Sequence, residues 1–130
     1  MNLDIADTMV RMAMDSIRNA YVLYDGIIAG ACALASDGTL YSGCTIDHPV
    51  AELSLPAELV AMSRAISDGK REFDALAIVA DIDGFYSPNE ETFQFLSQFT
   101  IEEFILADLE GNVKILQFDE IVSYKQRRRS

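Results

Sequence analysis

The sequence predicts a three-layer α/β domain with a five-stranded mixed sheet. Three observations predict it: an N-terminal segment of helical period, a β-hairpin directly after it, and a later alternation of helices with short apolar strands. The early hairpin argues against a purely parallel Rossmann arrangement. No glycine-rich phosphate loop is present. At 130 residues, half of them hydrophobic, the chain suits one domain around one core. That domain is placed at residues 1–124, followed by a basic tail at 125–130.

The first helix is expected over Leu3 to Tyr21. Ile5, Met9, Met12, Ser16 and Ala20 share one stripe, and Val10, Met14, Ile17 and Tyr21 a second beside it. That face is wider than one sheet surface needs, so part of it is expected to meet another subunit. Ile27 to Ala35 and Leu40 to Ile46 read as a hairpin around Asp37-Gly38. A helix from Pro56 to Ser67 follows, with Leu59, Met62 and Ile66 inward and Gly69 as its stop. Phe73 to Ala80 reads as a buried strand. Ser87-Pro88-Asn89-Glu90 opens a helix running to about Phe99, with Ser87 and Glu90 as a capping box and Pro88 at the first helical position. Glu103 to Leu109 and Val113 to Phe118 are strands around Glu110-Gly111-Asn112. A short helix near Asp119 to Val122 ends the pattern.

Charge narrows the partners. The net charge is −11, and Lys125, Arg127, Arg128 and Arg129 supply four of the ten basic residues. The remaining body is strongly acidic and repels phosphate backbones, which argues against nucleic acid. The tail reads as a solvated terminus. No apolar run is long enough to span a bilayer, so no membrane partner is expected. Asp4, Asp7 and Asp15 interrupt the first segment, unlike a secretory signal, and the expectation is a cytoplasmic protein. Cys32 and Cys44 flank the hairpin turn and are expected to stay reduced there. Two cysteines and one histidine, His48, are a poor kit for zinc.

The spacing of several short motifs resembles the small cytidine deaminases. Zinc deaminases place Cys-or-His, any residue, Glu at the start of one helix and Pro-Cys-x-x-Cys at the start of the next. Here Pro56-Ala57-Glu58 and Pro88-Asn89-Glu90-Glu91-Thr92 stand at the two helix starts. Ala20-Tyr21-Val22-Leu23-Tyr24 is similar to the family's Ala-Tyr-x-x-Tyr, and Gly30-Ala31 to the Gly-Ala of its first strand. Asp37-Gly38, Gly43-Cys44 and Gln94 also fall in register, so the resemblance covers residues 8–124. It implies an α/β/α fold, a homotetramer or homodimer, and a nucleoside pocket. Glu58 would be its proton shuttle, with substrate contacts at Ile27, Thr45, Asp47, Ala57 and Pro88.

The departures matter as much as the match. Pro56, Asn89 and Thr92 stand at the three zinc-ligand positions. Proline has no ligating side-chain atom, and amide or hydroxyl oxygens are weak zinc ligands beside thiolate. Ile27 replaces a phenylalanine, Thr45 and Asp47 replace the Asn and Glu that hold ribose, Phe93 replaces an arginine, and Gln126 a C-terminal aromatic. The expectation is therefore a zinc-ligand-deficient pseudoenzyme without a cofactor, binding a nucleoside-like small molecule or serving in an assembly. Two alternatives stand beside it. One is a hydrolase or deaminase of a nucleoside or base analogue acting through Glu58 with altered or no metal. In that case Glu58, Asp47, His48, Glu90 and Glu91 are the candidates for holding another metal. The other is a pure protein-interaction module with a vestigial pocket.

Overall fold

The computed structural model describes residues 2–23 and 26–121. Tyr24, Val122 and the tail from Lys125, with Gln126, lie outside them. Helix α1 (Leu3–Ser16) passes through a 3₁₀ turn (Ile17–Asn19) towards the hairpin β1 (Ala29–Ala35) and β2 (Leu40–Cys44). A second 3₁₀ turn (Ala51–Leu53) precedes α2 (Ala57–Ser67), then β3 (Glu72–Ala80), α3 (Glu90–Leu96), β4 (Thr100–Ala107) and β5 (Val113–Gln117). Residues 118–121 form a further helical turn. The strands lie in the order β2-β1-β3-β4-β5. β3 and β4 run parallel and the other pairs antiparallel, so the sheet is mixed, as expected.

Two cores sandwich this sheet. Ala6, Met9, Val10 and Ala13 of α1 pack on Cys32, Leu34, Ala77, Val79 and Ile105. On the opposite face, Ala57, Ala61, Met62 and Ala65 of α2 and Phe93 and Leu96 of α3 cover Ala31, Ala33, Leu76, Ile78 and Phe104. Covered on both sides, β1 is buried at every residue and β3 at seven of nine, so neither strand alternates polar with apolar. Small residues set the layer spacing. A side chain on Gly43 would stand 2.5 Å from the Ala61 backbone nitrogen, and one on Gly30 would stand 1.9 Å from the Ala13 carbonyl oxygen.

Several expected details move. α1 ends at Ser16 rather than Tyr21, and Tyr21 is exposed. Its inward stripe is Ala6-Met9-Val10-Ala13, the i, i+3, i+4, i+7 set, with Ile5 in water. Of the wider face expected, the sheet buries Met9 and Val10 and leaves Met12, Met14 and Ile17 half-buried against it. α2 is rotated from the expected face: Ala57, Glu58, Ala61, Met62 and Ala65 point inward, while Leu59 and Ile66 are half-buried. Gly43 of β2 lies against the backbone of Ala57 and Ala61, where the helix comes close to the strand. α3 starts two residues later than the Ser87 reading. Asn89 is its N-cap, its side chain accepting from the Thr92 N–H at 2.8 Å, and the helix stops at Leu96. β4 begins three residues earlier than expected, at Thr100. Cys32 and Cys44 are both free thiols. No helix among the described residues is long and apolar enough to cross a membrane.

Candidate ligand-binding site

A cavity of about 350 Å³ opens where the starts of α2 and α3 meet the beginning of β1 and the segment after β2. Of the residues singled out in the sequence, Ile27, Thr45, Asp47, Pro56, Ala57, Asn89, Glu91 and Thr92 line it. Glu58 lies one residue behind Ala57, fully buried in the face of α2 that meets the sheet. Pro88 is buried outside the lining.

Sequence reasoning missed Tyr86. It lines the cavity and donates its hydroxyl to Glu58 Oε2 at 3.0 Å. Burial, and then the charge of the Glu58 carboxylate, hold the Tyr86 phenol far above its usual pKa, so its proton stays on at any ordinary pH. A Phe-Tyr pair in an Asp- and Gly-rich loop before a proline was the available signal. The contact itself forms only when the β3–α3 loop folds back over α2. Glu52, Glu91 and Phe95 also line the cavity and were not named as substrate contacts.

Several candidate polar groups already serve the main chain. Thr45 Oγ1 accepts from Ala29 N at 3.1 Å and donates to Ile27 O at 2.9 Å, tying β2 to the entry of β1. Asp47 Oδ2 accepts from Leu23 N at 3.0 Å and lies against Gly26, so it anchors the segment before β1. His48 Nδ1 accepts from Val50 N, and the His48 N–H donates to Ser54 Oγ, both at 2.9 Å. His48 is thus a loop residue, and it does not line the cavity.

The metal positions differ in kind from a zinc site. Pro56 caps α2 without a side-chain hydrogen bond. Asn89 Oδ1 is committed to Thr92 N, and Thr92 offers only a hydroxyl. These three residues hold no thiolate or imidazole, the donors that four-coordinate zinc takes, and zinc does not fit them. Among the described residues no three His, Cys, Asp or Glu side chains converge as a metal-binding group. The electrostatic character is one-sided. Asp47, Glu52 and Glu91 line the cavity, and no Lys or Arg among the described residues does.

No protein-family model matches the chain. An 80-residue stretch, 62% of the chain, is 44% identical to a cytidine deaminase of Sporosarcina psychrophila; the match spans 59% of that protein, less than two thirds of its length. A cytidine deaminase of Halalkalibacterium halodurans is 27% identical over 116 residues, 88% of each chain. The crystal structure of cytidine deaminase from Burkholderia pseudomallei superposes with a TM-score of 0.82 at 24% identity, covering 88% of this chain and 94% of that one. The cytidine deaminase of Mycobacterium tuberculosis superposes with a TM-score of 0.67 at 27% identity, covering 76% of this chain and 80% of its own. The chain is cytidine-deaminase-like: related in sequence to cytidine deaminases, and built on their fold.

Proposed function

We propose that this chain is a zinc-ligand-deficient member of that group which binds a nucleoside-like small molecule in its cavity and does not deaminate it. The observation that carries the reading is the set Pro56, Asn89 and Thr92 at the two helix starts, with the Asn89 side chain given to capping α3. Metal-assisted hydrolysis draws on a drop in the pKa of water from about 15.7 to about 7. That is close to nine units, or roughly 12 kcal/mol at about 1.36 kcal/mol per unit. A positioned general base typically gives ~10²–10⁴-fold, about 3–5 kcal/mol. Glu58 alone therefore leaves most of the barrier standing. The cavity supports binding: it is concave and combines apolar lining from Ile27, Leu55, Leu59 and Phe95 with polar side chains.

One observation favours a second reading, a hydrolase of a nucleoside or base analogue. Fully buried Glu58 and partly buried Tyr86 form an acid–phenol pair at the cavity, an arrangement suited to holding a proton near a reacting group.

The test combines three measurements on one preparation. Purification without chelator followed by elemental analysis is expected to give far less than one zinc per chain. Thermal melting across nucleosides, bases and nucleotides is expected to show stabilisation by a nucleoside. Cytidine and deoxycytidine assays are expected to show no conversion above background. About one zinc per chain, or saturable turnover lost in Glu58→Gln, would overturn the non-catalytic reading.

A further inference from the structure

We propose that the loop from β3 to α3, residues 81–89, is a lid on the cavity, and that the hydrogen bond from Tyr86 to Glu58 is the latch that holds it shut. Access is set by this loop, whatever the cavity holds.

The loop is fixed at its two ends and loosely held between them. The Asp81 N–H donates to Ile28 O at 2.9 Å, and Asn89 caps α3. Among the described residues, the main chain of Ile82, Asp83, Gly84, Tyr86 and Ser87 makes no hydrogen bond, so this stretch is held by what its side chains touch. Asp83 and Gly84 are exposed, and Gly84 turns the chain at a φ of +79°, which glycine adopts without strain. Ile82, Phe85 and Tyr86 are half-buried against the core on the α2 side. Apolar contacts are non-directional and leave such a loop room to slide. The Tyr86 bond is directional, and it ends on a fully buried carboxylate.

The seat of the latch is rigid. Glu58 lies in the first turn of α2, whose Ala57, Ala61 and Met62 are packed on the sheet. The moving part is the cavity wall. Tyr86 lines the cavity, and Asn89, Glu91 and Thr92 continue the same wall into α3. With seven residues, α3 follows the loop that carries its cap. The donor is permanent, because burial and then the Glu58 charge keep the proton on the phenol. A hydrogen bond to a charged group biases an open–shut equilibrium by about tenfold or more.

The test uses Thr92→Cys in a Cys44→Ser background. That chain has one thiol in the cavity wall and one, Cys32, under α1 on the other face of the sheet. Thr92 is 5% exposed, so labelling at its position reports opening. An aromatic disulfide reagent is applied with and without Tyr86→Phe, which keeps the ring and removes the latch. The wall thiol should label about tenfold faster in the Tyr86→Phe chain, with Cys32 unchanged. An unchanged wall thiol overturns the proposal. So does equal acceleration at both thiols, since that is general loosening of the fold. A second measurement needs no variant. In the unmodified chain the Thr92 and Phe93 amides are both bonded to Asn89. Their hydrogen exchange should be about tenfold or more faster than that of Ile78 and Val79 in β3. Equal protection of the two pairs would show that no lid opens.

Discussion

Cys32 and Cys44 sit on adjacent antiparallel strands and still face different surroundings. Cys32 is fully buried under α1, while Cys44 is half-buried at the end of β2. Burial pushes the Cys32 thiol up to about 11. The neutral thiol is the form present below that value, so at pH 8 only about one part in a thousand is thiolate, the reactive species. An aromatic disulfide reagent at pH 8 should therefore label at most one thiol per native chain. It should label the second only after denaturation. Rapid labelling of both in the native state would show that α1 does not cover Cys32. The turn between these cysteines was legible, because Asp-Gly between apolar runs leaves few other readings. Tyr86 was not, because its role depends on a partner 28 residues away in sequence. Thr45 and Asp47 were legible as cavity-lining residues by position only. Their main-chain partners come from strand register, which residue types do not encode.

The ends of α2 were plain in the sequence, yet its buried face was not. Pro56 and Gly69 mark its start and stop, while the buried stripe is mostly alanine, which gives little hydrophobic signal. A stripe of Leu59, Met62 and Ile66 puts Glu58 at its edge, whereas the observed face puts it near the centre. α3 shows the opposite case, a strong local pattern losing to a neighbour. Ser87 and Glu90 match a capping box, but Asn89 caps the helix from within that pattern. With seven residues, α3 is too short to hold itself without its cap and its packing. Asn89→Ala should cost about 0.5–2 kcal/mol, read from urea unfolding. Hydrogen exchange should rise at the Thr92 amide first. An unchanged midpoint would mean that the Asn89–Thr92 bond contributes nothing in solution.

The molecule as a whole leaves apolar surface around the loop between β2 and α2. Ile46, Val50, Leu53 and Leu55 are each at least 40% exposed. A shallow groove of about 590 Å³ runs from Ile46 and Leu55 along α2 to Asp68. Clustered apolar exposure of this kind is unusual on a monomer. The chain should therefore form a homodimer or homotetramer, and light scattering at micromolar concentration should exceed the 14.4 kDa of one chain. A monomer would refute this. The same packing, with two helix starts brought to one cavity, permits a stricter test of the proposed loss of zinc. The variant combines Pro56→Cys, Asn89→Cys and Thr92→Cys. All three positions line one cavity, so three thiolates should converge there. Removing the Asn89 cap costs about 1 kcal/mol, and removing Pro56 frees the backbone before α2. Zinc binding of roughly 10 kcal/mol or more offsets both. The variant should therefore hold about one zinc per chain and melt higher with zinc than without. Cytidine turnover should remain low, because Ile27 offers no aromatic ring and Thr45 and Asp47 stay bound to the main chain. A folded variant that binds no zinc would show that the two helix starts do not converge closely enough for tetrahedral coordination. Rapid cytidine turnover would show that the metal was the one missing part, and that the changes at Ile27, Thr45 and Asp47 leave a working nucleoside pocket.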